Sequence, residues 1–124
     1  MSNQTVSWQR AEGLLALVAA TALFHHLGGA WLVFALLFFV PDASMLGYLL
    51  GAARGATIYN TFHNYALPLA LGTLGLVLNS PTMQLGALIW SAHIGFDRAL
   101  GYGLKLPTSF GDTHMGALKG ARRA

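Results

Sequence analysis

Two long stretches of this chain carry almost no charge. Between Glu12 and Arg54 the only charged side chain is Asp42, and between Arg54 and Asp97 there is none. Each stretch is about 40 residues, which is room for two spans of roughly 20 residues apiece across a hydrocarbon layer about 30 Å thick. In lipid every backbone amide must be paired internally. No strand alternation runs through these segments, so helices are the predicted solution. Composition agrees: 55% of the 124 residues are hydrophobic and 9% charged, where an ordinary soluble domain carries about a quarter charged residues. The sequence contains no cysteine, which excludes disulfide scaffolds, thiol redox centres and cysteine-based zinc sites.

Turn signals divide both gaps. Gly28-Gly29 closes a first span over about 12–27, and Trp31 opens a second over 31–50. A third covers about 55–78 and ends at Asn79-Ser80-Pro81, and a fourth covers about 82–100. Apolar sequence resumes after each break, so these read as mature spans rather than a leader. The expected fold is all-α: one transmembrane domain over 1–124, an integral membrane four-helix bundle, with a short polar segment over 101–124. Every lysine and arginine lies at the termini, the middle loop or an adjoining helix end, whereas the two opposite loops are uncharged. The positive-inside bias therefore predicts that both termini are cytoplasmic. No basic run is interleaved with aromatics, so nucleic acid is not an expected partner. Lys119, Arg122 and Arg123 are expected to meet anionic headgroups of the lipid bilayer. The pairs Gly47/Gly51, Gly51/Gly55 and Ser91/Gly95 have helix-packing spacing. Packing within the bundle is favoured over a homo-oligomer or membrane-complex face.

Ionisable side chains inside a bilayer cost roughly 2.5 to 3.5 kcal/mol each near mid-helix, so those that persist usually turn inward. Asp42 falls in the second span, His63 in the third, and His93 and Asp97 in the fourth. Counted from the cytoplasmic ends at 1.5 Å per residue, Asp42 and His63 lie about 12 Å deep and His93 about 10 Å. His93 and Asp97 share a helical face, as do Tyr59 and His63, with Asn60 nearby. Pro41 removes a backbone donor just before Asp42 and should kink that span. One cytoplasm-facing polar pocket is predicted.

Two imidazoles and one or two carboxylates are donors suited to a divalent metal (zinc, iron or manganese) that keeps a position open for water. In that reading Asp42, His63 and His93 bind the metal, and Asp97, His93 and Tyr59 carry catalysis. Arg98, Lys105 and Asn60 then receive an anionic substrate group. A hydrogen-bonded network that ties the helices together uses the same residues. His25-His26 lies at the opposite end and is expected to be an interfacial pair, with axial ligation of a haem still open for one of them. Asp112 or Thr113 is placed to cap a short helix through Ala121, and the segment around His114 is read as a surface tail in preference to a lid.

The strings Pro41-Asp-Ala-Ser-Met-Leu-Gly-Tyr48, Tyr59-Asn-Thr-Phe-His-Asn-Tyr65, His93 through Lys105 and Pro107 through Gly116 resemble the bacterial membrane family catalogued as domain of unknown function 4260. The resemblance implies a small multi-pass protein of the bacterial inner membrane and no assigned reaction. A fainter similarity, to inner-membrane metal-dependent hydrolases that also pair Pro-Asp with embedded histidines, is an analogy. Three functions stay open: a metal-assisted, hydrolase-like enzyme on an amphipathic substrate, a non-enzymatic membrane subunit or assembly partner, and a haem-binding or proton-handling protein.

Overall fold

Four helical rods make up the chain in a computed structural model that describes residues 2–117; two rods are regular and two are broken. Helix α1 runs from Asn3 to His26, starting well before the expected boundary near residue 12. Ser2 sets that start by accepting from the Thr5 amide at 3.2 Å, a side-chain cap that hydropathy alone does not register. At the other end of the chain of helices, α5 spans Pro81–Ala99. Ser80 caps it through the Met83 amide, and Pro81 fills its first turn, where no backbone donor is needed. These two regular rods pack at glycines. A side chain on Gly13 would collide with Arg98, and one on Gly95 would lie 2.5 Å from the Gly13 carbonyl oxygen. Arg10 adds a bond to the Ala99 carbonyl at 2.9 Å, closing the end of α5.

The second rod begins as helix α2, Trp31–Leu37, and continues as a 3-10 segment over Val40–Leu50. The expected kink at Pro41 is this change of winding: the Asp42 amide bonds back to Phe39 at 3.0 Å, three residues away instead of four. With three residues per turn, Pro41 and Gly47 are buried and Ser44 between them is half-buried. Gly47 sits against Ile58 and Gly55 against Tyr48, so both are filled from within the chain. Gly51 differs from the packing role expected of it. It turns the chain at φ 103°, a conformation that favours glycine.

The third rod was expected to be continuous over 55–78. Instead helix α3, Ala52–Phe62, stops before His63, and helix α4, Ala66–Val77, starts after Tyr65. The C-terminal segment folds back on the bundle. Strands β1 (Asp112–Thr113) and β2 (Gly116–Ala117) pair antiparallel, and Lys105 bridges Thr113. The helix expected to start at Asp112 or Thr113 is therefore corrected: the chain turns at His114-Met115 and re-enters as β2 at Gly116, at φ 113°, making a hairpin. Lys119, Arg122 and Arg123 lie outside the described residues.

Burial is inverted relative to a water-soluble domain. His63, His93, Asp97, Arg98 and Lys105 are buried, whereas Leu32, Leu46, Leu49 and Val77 are among many exposed apolar side chains. The stretch Trp31–Leu50 is long and apolar enough to cross a membrane.

Candidate metal centre

The break in the third rod is built by side chains that take over its backbone carbonyls. His63 Nδ1 donates to the Tyr59 carbonyl at 2.8 Å. Asn64 donates to the Asn60 and Thr61 carbonyls at 2.8 and 2.9 Å, and its own oxygen accepts from the Ala66 amide at 2.9 Å. From α5, Trp90 donates to the Phe62 carbonyl at 2.8 Å, and Arg98 donates to the His63 carbonyl at 2.9 Å. A helix interrupted in an apolar layer is tolerable only when its freed groups find such partners. The interruption swings His63 inward, where its ring stacks on Tyr59 with 3.7 Å between centroids.

Asp42 from the 3-10 segment, His63 from the break, and His93 and Asp97 from α5 then converge. His63 Nε2 lies 3.1 Å from Asp42 Oδ1 and 3.6 Å from Asp97 Oδ2. His93 Nε2 lies 3.2 Å from Asp42 Oδ1 and 3.3 Å from Asp97 Oδ2, and the two Nε2 atoms are 3.2 Å apart. All four ligand atoms fall within 4.8 Å of one another. Tetrahedral coordination with bonds of about 2.0–2.1 Å puts neighbouring ligand atoms about 3.3–3.4 Å apart, close to these five separations, so the group could hold a metal ion.

Proton bookkeeping sharpens the geometry. Because His63 Nδ1 carries the hydrogen donated to Tyr59, the neutral ring presents a lone pair at Nε2, facing two carboxylates and a second imidazole. That arrangement is repulsive unless a second proton or a cation sits among the four atoms. A divalent ion would be neutralised by the two carboxylates, leaving no net charge in an apolar setting. The His63–Tyr59 bond is also the kind of outer contact that orients metal-bound imidazoles. His93 is gripped by Phe38 and Phe39 (ring centroids 5.4 and 6.1 Å away), and its Nδ1 is buried with no hydrogen-bond partner. Both histidines are fully buried, the Asp97 side chain is 11% exposed, and Asp42 is 29% exposed. Asp42 is thus the open side of the cluster.

The remaining expected site residues surround this core in a different way. Arg98 spends its guanidinium on the His63 and Tyr102 carbonyls. Asn60 clasps the backbone of Lys105, donating to its carbonyl at 2.8 Å and accepting from its amide at 2.6 Å. The clasp lays the Lys105 ammonium over the rings of Phe110, at 3.7 Å, and Tyr59, at 5.0 Å. Burial lowers the Lys105 ammonium to about 8 from its usual 10.5, although Asp97 and Asp42 pull the other way. His114 Nδ1 accepts from the Leu104 amide at 2.7 Å. Burial and the Arg98 charge push its imidazole down. His25 and His26 are exposed and far from this cluster in sequence, with His25 stacked on Trp31. Asn64 and Trp90, which build the break, lie outside the expected site residues. The signal in the sequence is the polar group Asn60, Thr61, His63 and Asn64, interrupted only by Phe62, within an otherwise apolar span.

The family described as Domain of unknown function (DUF4260) matches over residues 6–118. The chain belongs to this family. No curated protein and no solved structure matches it. The matched region contains all four cluster residues, together with Lys105 and the hairpin whose Thr113 it bridges.

Proposed function

We propose that this chain is a multi-pass membrane protein that holds one divalent metal ion between Asp42, His63, His93 and Asp97. It uses that ion to hydrolyse an amphipathic substrate reached from the cytoplasmic leaflet. The observation that carries the reading is His63: its hydrogen is committed to the Tyr59 carbonyl, so its lone pair converges with three other donors at tetrahedral spacing. That spacing favours zinc, with iron or manganese the next candidates for a set of two imidazoles and two carboxylates. Such an ion supplies a water of lowered pKa and polarises an ester or phosphoryl oxygen. Asp42, the most exposed ligand, yields a position to water or substrate, while His63, His93 and Asp97 hold the ion. Tyr59 fixes the His63 ring, and Arg98 and Asn60 position the helix break and the C-terminal segment. Lys105 is the cation next to the cluster that is left for an anionic head.

The membrane part of the reading is supported by the many exposed apolar side chains, Leu32, Leu46, Leu49 and Val77 among them. It is also supported by the length of the second rod, about 35 Å at the rises of its two windings. The bacterial inner membrane is the location we assign, with both termini cytoplasmic.

One observation favours a second reading. The unpartnered Nδ1 of His93 suits a tautomer that carries its hydrogen on Nε2 and donates it to Asp97, closing a proton-sharing network without metal. Elemental analysis of the purified protein separates the two. The metal reading expects one equivalent of metal per chain, lost in His63→Ala while the helix content is kept. Folded protein purified with no metal after growth in supplemented medium would refute it in favour of the network.

A further inference from the structure

An apolar groove of about 510 Å³ runs beside the cluster, with Pro41, Ser44, Phe62, Gly86, Ile89 and Trp90 among its walls. Its position is set by the ligands themselves: Pro41 adjoins Asp42, Phe62 adjoins His63, and Trp90 lies one turn before His93. Seven residues separate Gly86 from His93, so along α5 the groove extends about 10 Å away from the metal ligands. Its polar groups are already used. Ser44 Oγ donates to the Pro41 carbonyl at 2.7 Å, and Trp90 Nε1 donates to the Phe62 carbonyl at 2.8 Å. These side chains therefore offer a ligand no free donor and only the acceptor capacity of Ser44 Oγ, so a strongly polar guest would lose most of its hydration without full return. Its volume is that of a small-molecule site, and Asp42, next in sequence to the wall residue Pro41, is the more exposed carboxylate of the neighbouring cluster.

From this the geometry points to a subsite for a single unbranched hydrocarbon chain, carried by the molecule whose head group meets the Asp42 side of the cluster. The assignment rests on the metal-centre reading for the head and on the groove alone for the chain. It makes the substrate class a lipid or lipid-like ester with at least one acyl or alkyl tail. Gly86 provides the means to test it. A side chain added there meets no atom within 4 Å, so a large residue fills the groove without pressing on the fold.

The experiment is fluorescence quenching of the detergent-solubilised protein by dodecanoate brominated at mid-chain, with Trp90→Phe defining which part of the emission belongs to Trp90. Saturable quenching of Trp90 is expected, with a half-saturation concentration raised at least tenfold in Gly86→Phe and unchanged in Gly86→Ala. Ala43→Phe, from the opposite wall, should repeat the effect and guards against misfolding of one variant. Quenching that rises linearly and equally in all variants would mean the groove is only wetted by surrounding detergent or lipid, and would overturn the proposal. So would saturable quenching indifferent to both plugs. Elemental analysis of the same samples reads the metal centre separately: saturable, plug-sensitive quenching in metal-free protein would sink the centre and leave the chain subsite standing.

Discussion

The α1–α5 pair and the two broken rods treat the backbone in opposite ways. In α1 and α5 the amides are paired within regular helices, and two glycines let the rods approach until nothing larger fits. In the broken rods the chain gives up regularity at Pro41 and at His63, and side chains make good the lost pairing. The regular pair is a frame; the broken pair delivers Asp42 and His63 to it. The difference teaches that in this fold the polar residues near the centre divide into two kinds, those that repair the backbone and those that repair nothing. Asp42, His93 and Asp97 belong to the second kind, and His63, which bonds the Tyr59 carbonyl through Nδ1 and joins them through Nε2, belongs to both.

The largest effect should come from closing the frame. Gly95→Leu forces its side chain into the Gly13 carbonyl and the Leu17 amide, which should cost about 3 kcal/mol and lower the thermal midpoint of every structural probe together. A smaller and more local effect is expected of Arg98→Met, which leaves the buried His63 carbonyl without its donor, at about 1–3 kcal/mol. If the comparison holds, metal affinity in that variant falls by roughly 10–100-fold while the melting of α1 stays close to wild type. Equal losses in frame and site would erase the distinction drawn between them.

The smallest effect is a pH dependence at Lys105. Its ammonium loses its proton near pH 8 in the folded chain but near 10.5 when unfolded, so between those values the unfolded chain binds more protons. Stability should therefore rise as pH climbs through that window, and the penalty should be constant below it. Lys105→Met should flatten the rise in chemical-denaturation curves recorded from pH 7.5 to pH 10; a slope equal to wild type would place its origin elsewhere.

The convergence of the cluster is legible because Asp42, His63 and His93 fall at matching distances from the charge-marked ends of their expected spans. The all-helical chain with four rods followed from the two charge-free gaps. What hydropathy could not give was the break at His63, because Asn60, Asn64 and Trp90 act through hydrogen bonds to carbonyls that have no sequence pattern of their own. Hydropathy is equally silent on Arg98 and Asn60, of which one holds the His63 and Tyr102 carbonyls and the other clasps the Lys105 backbone. The hairpin at Asp112–Ala117 was misread as a helix since Asp and Thr serve equally well as helix caps and as turn residues.

X-ray absorption at the metal edge of the purified, metal-loaded protein tests the central claim most directly. Two nitrogen and two oxygen neighbours at about 2.0–2.1 Å, with one nitrogen lost in His63→Ala, is the predicted result. Six oxygen neighbours with no imidazole signature, unchanged by that substitution, would contradict it.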